Sequence, residues 1–373
     1  MKIAIVHDLL TQMGGAERVV EVLHEMYPEA PIYTLALNRE RLSDALRKSD
    51  IRTTWIQKIP GVEANFKKLL PLYPIALRQL TLEGYDAVIS SSFAFVKGVR
   101  VPQDTFHFCY CYTPMRFAWD FENYIEREAY PKAVKSVLRQ YVKYLRYWDE
   151  KTANRVDSYV AISSVVKKRL QMCYRRESEI IFPPVHTSRF SPSRQIDSYY
   201  LLVSRLVSYK RIDLAIEAFN QLGLPLYIVG DGPDRGRLKS MAKSNIQFLG
   251  RLPDEEVGSL MSRCRALLFP GEEDFGITPL EANAAGRPVV AYRAGGALDT
   301  IIPYKNGLFF DEQKPDSVIA AIRQLENFGW DAGAIVAHAK TFDTEVFKQR
   351  FHQHLFEVYR HHLSGINSRR AIP

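Results

Sequence analysis

Short apolar runs alternate with longer amphipathic stretches along most of this chain. Lys2-Ile-Ala-Ile-Val-His7 is apolar at successive positions, as a parallel strand buried on both faces requires. Comparable runs predict strands at Pro31–Thr34, Ile51–Thr54, Tyr85–Ser90, Phe106–Tyr110 and Ser158–Ile162. Further on, Tyr199–Ser204, Pro225–Val229 and Ala266–Phe269 read the same way, the last closed by Pro270. Helical periodicity fills Ala16–Met26, Ile212–Asn220 and Thr344–His362, and Ser163 is a good N-cap for a helix after Ile162. Alternation of this kind predicts an α/β protein with doubly wound parallel sheets. Phe182–Arg194 is rich in Pro and Ser without periodicity and reads as a linker. The expected boundaries are a first domain over 1–183, a linker over 184–198, a second domain over 199–343, and a terminal helix with a frayed tail over 344–373.

At 373 residues the chain is long enough for two domains with full cores. Hydrophobic content of 46% and charged content of 25% suit a soluble globular protein. No run of about 18 apolar residues predicts a transmembrane helix, and the N-terminus enters a strand without a signal-peptide core. Cys109, Cys111, Cys173 and Cys264 lack metal-ligand spacing with histidines and read as reduced, partly buried thiols of a cytoplasmic protein. The net charge of +8 favours anionic partners without choosing among sugar nucleotide, nucleic acid and membrane.

Two basic stretches bear on a membrane. From Pro131 to Lys151, Lys132, Lys135, Arg139, Lys143 and Arg146 form one stripe at steps of three and four. Val134, Leu138, Tyr141, Leu145 and Trp148 form a second, roughly opposite stripe that predicts the core-facing side. The basic side faces either water or anionic lipid, and vesicle co-sedimentation after reversing Lys135, Arg139 and Lys143 separates the two. Asn65–Arg78, basic, aromatic and broken by proline, reads equally as a lipid contact or as a loop and helix packed on the domain.

Candidate chemistry concentrates at Gly271-Glu-Glu-Asp-Phe-Gly-Ile-Thr-Pro-Leu-Glu-Ala-Asn-Ala-Ala-Gly-Arg-Pro288. Thr278-Pro279 reads as a helix start, and Gly286 with Pro288 as its stop. Glu273 and Glu281 bracket that corner with seven residues between them. A carboxylate beside freed backbone N–H groups suits a polyol joined to a phosphate, although Glu281 alone is explained by the helix dipole. Gly14-Gly15 between a strand and a helix permits close phosphate approach. Arg205 and Lys210 follow a buried strand, where they suit a diphosphate or form an ordinary solvated loop. Gly230, Gly232 and Gly236 mimic a nicotinamide-binding turn, but their last gap is one residue too long and Pro233 interrupts it. Phe106-His-Phe-Cys-Tyr-Cys-Tyr-Thr-Pro-Met-Arg116 leaves its strand into an aromatic loop that stacks on sugar rings or fills a core.

The Glu273-to-Glu281 string resembles the E-x7-E signature of glycosyltransferase family 4, the retaining GT-B enzymes, through Glu273, Phe275-Gly276, Pro279, Glu281-Ala282 and Ala285–Pro288. Gly14–Arg18, Arg205 with Lys210, Val229–Pro233, Asn245–Arg251, Ala294–Ile301 and Asn306–Phe309 fit the same family, strongly from Arg205 to Gly307 and more loosely before it. Asp299 stands where glutamate is usual. The resemblance implies a GT-B fold: two facing Rossmann-like domains, with the terminal helix crossing back to the first. It implies donor binding by Gly14, Gly15, Gly230, Leu249, Phe275, Gly276, Ile277, Thr278 and Glu281, and catalytic work by Glu273, Arg205 and Lys210. It implies no metal or other cofactor and no nucleic-acid partner, and the chain has no Asp-x-Asp.

Within the family, the aromatic loop resembles a bacterial polysaccharide mannosyltransferase subgroup that carries His-Thr-Pro-x-Arg, where this chain has Tyr112 in place of the histidine. Tyr112, Arg116 and His107 are therefore the acceptor- or sugar-side candidates, His107 being an alternative imidazole whose side chain is expected to point elsewhere. A tyrosine donates a hydrogen bond but holds no labile proton at neutral pH. The implied donor is GDP-mannose or a UDP-sugar, since base contacts in the family are largely main-chain. The implied acceptor is a glycan or polyprenyl-diphosphate-linked sugar, with an anionic membrane surface as a further partner of a cytoplasmic, peripheral protein. Three rivals have distinct signatures. A sugar-nucleotide 2-epimerase would epimerise donor without acceptor. An NAD(P) oxidoreductase would quench cofactor fluorescence. A silent sugar-nucleotide-binding protein would bind donor and never turn over.

Overall fold

The computed structural model describes residues 1–62, 66–121 and 132–370. Asn65, Pro131 and residues 371–373, which the readings above include, lie outside the described residues. The chain divides into two compact units: Met1–Phe182 with Lys348–Pro373, and Pro183–Phe347.

The first unit holds a parallel sheet of seven strands: β1 Ile3–His7, β2 Ile32–Thr34, β3 Ile51–Thr53, β4 Ala87–Ser92, β5 Phe106–Cys111, β6 Ser158–Ala161 and β7 Glu179–Ile180. Their order is β3-β2-β1-β4-β5-β6-β7. Every residue of β1, β4 and β5 is buried, so apolar residues occupy successive positions without alternation, although β4 ends in three buried serines and β5 carries His107. Ile5 pairs with Ile32 on one side and Ile89 on the other, so β1 is central. The terminal helix Thr344–Arg370 runs past its expected end near His362. Its buried Phe351 meets the Phe108 and Tyr110 rings of β5 at 5.3 and 5.8 Å.

The second unit holds six parallel strands: β8 Tyr200–Val203, β9 Leu226–Val229, β10 Ile246–Gly250, β11 Leu267–Phe269, β12 Val289–Tyr292 and β13 Gly307–Phe310, in the order β10-β9-β8-β11-β12-β13. Helix Ile212–Leu222 covers one face, burying Ile212, Ala215, Ile216 and Phe219. In both sheets the strand order reverses beside the first strand, between β1 and β4 and between β8 and β11. Open α/β sheets take ligands at such switch points, outside the carboxyl ends of the strands.

Two expectations change and one holds. The signature helix is Ile277–Ala284, so Pro279 is its third residue, still in the first turn where an N–H has no helical partner. Ser163 does cap Ser164–Tyr174, accepting from the Val166 N–H at 3.3 Å. The long helix Lys132–Ala153 buries Val142, Leu145 and Asp149, while Val134 is exposed and falls outside the core face assigned to it. Leu145, Tyr141 and Trp148 do face the core, and the inward face also takes in Asp149, a charged residue outside the apolar stripe. Arg146 of the basic stripe is turned aside as well, its Nε donating to the Ala118 carbonyl. Among the described residues no helix is long and apolar enough to cross a membrane.

Candidate functional site

In the second unit the loops leaving β8 and β11 bring Arg205, Lys210 and Glu273 together. Lys210 Nζ forms an ion pair with Glu273 Oε1, and both side chains are largely buried, with 14% and 22% of their surface exposed. Tyr209 connects the cations: its hydroxyl accepts from Arg205 at 2.9 Å, and its ring lies 5.4 Å from Lys210 Nζ. Sequence reasoning missed Tyr209, although it stands directly before Lys210.

Two glycines set this geometry. Gly230 has φ +127°, and a Cβ there would lie 1.9 Å from the Ser204 carbonyl oxygen, so only glycine lets the β9 turn pass beneath the Ser204–Arg205 peptide. The Gly230 N–H donates to the Gly250 carbonyl at 2.7 Å, tying the turn to the strand end that carries Leu249. Gly295, at φ +62°, would place a Cβ 2.2 Å from the Glu273 carbonyl oxygen, and the adjacent Gly296 N–H donates to that oxygen at 2.8 Å. Glu273 is thus held by its side chain from the β8 loop and by its main chain from the β12 loop.

Gly276 turns the chain at φ +89° into helix Ile277–Ala284. Ile277, Thr278 and Glu281 are half-buried on its first turns, and Phe275 is buried beneath. First-turn N–H groups and the helix dipole favour an anion at this end. The second half of the signature is architectural. Asn283 Nδ2 donates to the Arg287 and Asn306 carbonyls, and Asn306 Nδ2 donates to Asn283 Oδ1 at 2.8 Å. Arg287 is buried with Nε on the Ser262 carbonyl at 2.7 Å; burial holds its guanidinium below the usual range.

In the first unit, polar side chains gather at the carboxyl ends of β1 and β4. The buried Asp8 carboxylate accepts four backbone N–H groups, from Phe93, Ala94, Phe95 and Val96, at 2.6 to 3.1 Å. Burial pushes that carboxyl up, and the Phe95, Phe93 and Val96 donors, together with the nearby Lys97 ammonium, oppose the push. His7 Nδ1 lies 3.0 Å from both the carbonyl and the hydroxyl of Ser91. A carbonyl only accepts, so Nδ1 carries the proton and Nε2 is the bare nitrogen. Burial lowers the His7 pKa to about 4. Ser91 Oγ is 2.8 Å from the Tyr112 hydroxyl, which donates to the Ala16 carbonyl at 3.1 Å. Tyr112 thus ends a chain from an imidazole, His7, that sequence reasoning did not select. The only signal was its position at a strand end beside Asp8.

The other first-unit candidates are not drawn into this chain. His107 sits at the opposite end of β5, five residues and roughly 16 Å along the strand from Tyr112. It is buried against Ser90 Oγ at 2.9 Å, and burial lowers its pKa to about 3. Arg116 is exposed at the start of the short helix Arg116–Trp119. The Gly14 N–H donates to Glu17 Oε2 at 3.0 Å, so a buried carboxylate of the first helix already takes that donor. The four cysteines are free, with only Cys173 partly exposed.

These two Rossmann-like units of parallel strands have the fold of GT-B glycosyltransferases. HepE of Anabaena, solved in complex with UDP, superposes with a TM-score of 0.72 at 17% identity, over 96% of this chain and 100% of HepE. Residues 187–332, all within the second unit, match the family model for glycosyl transferases group 1. An uncharacterized glycosyltransferase of Methanocaldococcus jannaschii is 26% identical over 187 residues, 49% of this chain and 53% of the relative. A GDP-mannose-dependent alpha-(1-6)-phosphatidylinositol monomannoside mannosyltransferase of Mycolicibacterium smegmatis is 29% identical over 204 residues, 46% of this chain and 53% of the relative. The chain spans about half the length of these curated relatives.

Proposed function

We propose that this protein is a retaining hexosyltransferase that moves mannose from GDP-mannose to a lipid-linked glycan acceptor during cell-surface polysaccharide synthesis. The observation that carries the reading is the Lys210–Glu273 ion pair, held at the β8–β11 switch point within the stretch that matches the group 1 model, with Arg205 alongside. An ammonium has three donors, and one engaged with Glu273 leaves two for phosphate oxygens. Arg205 adds a planar fork suited to the same group. Glu273 keeps a second carboxylate oxygen for hydroxyls of the transferred sugar, and Glu281 serves the ribose.

In the reaction the bond from the anomeric carbon to the phosphate oxygen breaks, and a bond to the acceptor oxygen forms on the same face. The leaving phosphate takes the acceptor proton, so no separate base is needed. Negative charge grows on that phosphate, and Arg205, Lys210 and the Ile277 and Thr278 N–H groups stabilise it. The first unit takes the acceptor, with Tyr112 and Arg116 on its side. The GDP-mannose dependence of the Mycolicibacterium smegmatis relative supports the GDP-mannose reading. A UDP-sugar donor is the second reading, supported by the UDP complex of HepE, and it keeps the same mechanism.

A thermal-shift panel of GDP, UDP, ADP, GDP-mannose and UDP-hexoses tests the donor. Stabilisation by GDP and GDP-mannose alone is expected, and stabilisation by no nucleotide on folded protein would overturn the reading. Transfer to lipid-linked sugars should fall at least a hundredfold in Glu273→Gln, a loss of about 2.7 kcal/mol of transition-state stabilisation. Near wild-type turnover in that variant would remove Glu273 from the mechanism, and donor binding without transfer to any acceptor would favour a silent binding protein.

A further inference from the structure

A cavity of about 240 Å³ opens in the first unit between the segment Tyr73–Gln79, the Gly98–Arg100 turn and the last turns of helix Lys132–Ala153. Arg100 leads into the amino end of β5, and Ala153 leads toward the amino end of β6. The cavity therefore lies toward the opposite strand ends from His7 and Tyr112. Arg78, Arg100, Lys151 and Arg155 line it, and no carboxylate does. None of the four has an ion pair to a described carboxylate; Lys151 instead lies 5.6 Å from the Tyr147 ring centroid. Tyr144 and Tyr147 form the outer wall, and the indole of Trp148 lies deeper.

A solvated basic helix end, where cations offset the helix dipole, accounts for Lys151 and Arg155. It accounts neither for Arg78 and Arg100, which come from two other segments, nor for the apolar rim. Tyr144 and Tyr147 line the opening and are 50% and 63% exposed, while Ile75 and Val137, 54% and 69% exposed, lie outside the lining on the two segments that flank it. Convergent cations select a phosphate, whereas exposed aliphatic groups and tyrosines around them suit the water–lipid boundary and gain nothing from a solute.

We infer that this cavity is a phosphate-headgroup site by which the first unit docks on an anionic bilayer. It deepens the proposed membrane-side acceptor reading, and its test needs no nucleotide. Co-sedimentation of the full chain is measured with phosphatidylcholine vesicles and with phosphatidylcholine–phosphatidylglycerol vesicles, for wild type, Arg100→Gln/Arg155→Gln, Tyr144→Ser/Tyr147→Ser, and Lys167→Gln/Lys168→Gln as a charge-matched control on another helix. Wild type should bind only the phosphatidylglycerol vesicles. Partitioning should drop roughly 30-fold in the arginine variant, about fivefold per charge, and should drop in the tyrosine variant, with the control close to wild type. An equal drop in the control would reduce the effect to net charge and overturn the site. Displacement by millimolar inorganic phosphate, with the tyrosine variant unaffected, would assign the cavity to a soluble phosphate and overturn the bilayer assignment. Thermal midpoints of all variants exclude misfolding. Failure of nucleotides to stabilise the protein, with vesicle binding as expected, would sink the donor reading and leave this one standing.

Discussion

Replacing Lys97 by methionine should be among the most damaging single changes in the first unit. Lys97 and Asp149 are both fully buried and form an ion pair. Lys97 Nζ also donates to the Ala94 carbonyl at 2.6 Å, while Asp149 Oδ2 accepts from Trp119 Nε1 at 2.7 Å and from the Tyr174 hydroxyl at 2.6 Å. Burial works to lower the Lys97 pKa, and the adjacent Asp149 carboxylate outweighs it, leaving the ammonium above its ordinary value. Its stabilising contribution is therefore complete at neutral pH and is lost only as pH rises through that raised value. Methionine keeps most of the volume but leaves a buried carboxylate with two neutral donors. Breaking a buried pair from one side costs about 3–5 kcal/mol, against roughly 5–15 kcal/mol for a whole domain. With a urea slope near 2 kcal/mol/M, the midpoint should fall by about 2 M. Three of the four tryptophans, Trp55, Trp119 and Trp148, belong to this unit, so fluorescence reports its unfolding. Asp149→Asn in the same background removes the stranded charge and keeps an acceptor for Trp119 and Tyr174, and should restore about half or more of the loss. A loss below about 1 kcal/mol in Lys97→Met, or no rescue by the second change, would refute the account.

Gly295→Ala should displace the Glu273 main chain, because the new Cβ would meet its carbonyl oxygen at 2.2 Å. Donor-induced thermal shift should shrink strongly, and an undiminished shift would show that the loop is not what places Glu273. Acid should destabilise the first unit: His7 and His107, with pKa values lowered to about 4 and about 3, stay neutral when folded and take up protons near pH 6.5 when unfolded. Stability is therefore lost as pH falls below about 6.5 by about 1.4 kcal/mol per unit for each histidine, until its folded pKa is reached. Urea midpoints in His107→Gln should show a shallower dependence from pH 6.5 to 5, and an unchanged slope would contradict the assignment. Tyr112→Phe removes the donor to Ala16 and the partner of Ser91 Oγ, and should cost about 1–3 kcal/mol in the same melts; a neutral effect would mean that water replaces both bonds.

The strands were legible because a parallel sheet buried on both faces favours apolar runs, as in Ile3–Val6 of β1 and Tyr200–Val203 of β8, whereas β4 ends in three buried serines. The long helix was legible in part: Leu145 is buried and Tyr141 and Trp148 pack on the core, as its apolar stripe requires. Asp149 lies outside that stripe yet is fully buried, because Lys97 meets it there. Of that stripe only Val134 is exposed, and Val137, Tyr144 and Tyr147, which lie outside the stripe, are exposed as well. Hydrophobic periodicity cannot register a buried charge whose partner lies fifty-two residues away.

The same division runs through the signature of the second unit. Its leading half, Glu273 to Thr278, lies at the switch-point end of β11, where it can meet a ligand. Its trailing half, from Asn283 to Arg287, spends its polar groups on Asn306, Ser262 and the chain around them. A match across the whole string therefore speaks mainly for the fold, since half of its side chains build the corner. The chemistry is concentrated in fewer positions, and their arrangement depends on residues outside the string: Lys210 and Tyr209 from the β8 loop, and Gly295 from the β12 loop. Glu273 is a functional candidate because those neighbours, drawn from the loops of two other strands, fix a carboxylate against a cation at the ligand-binding edge of the sheet.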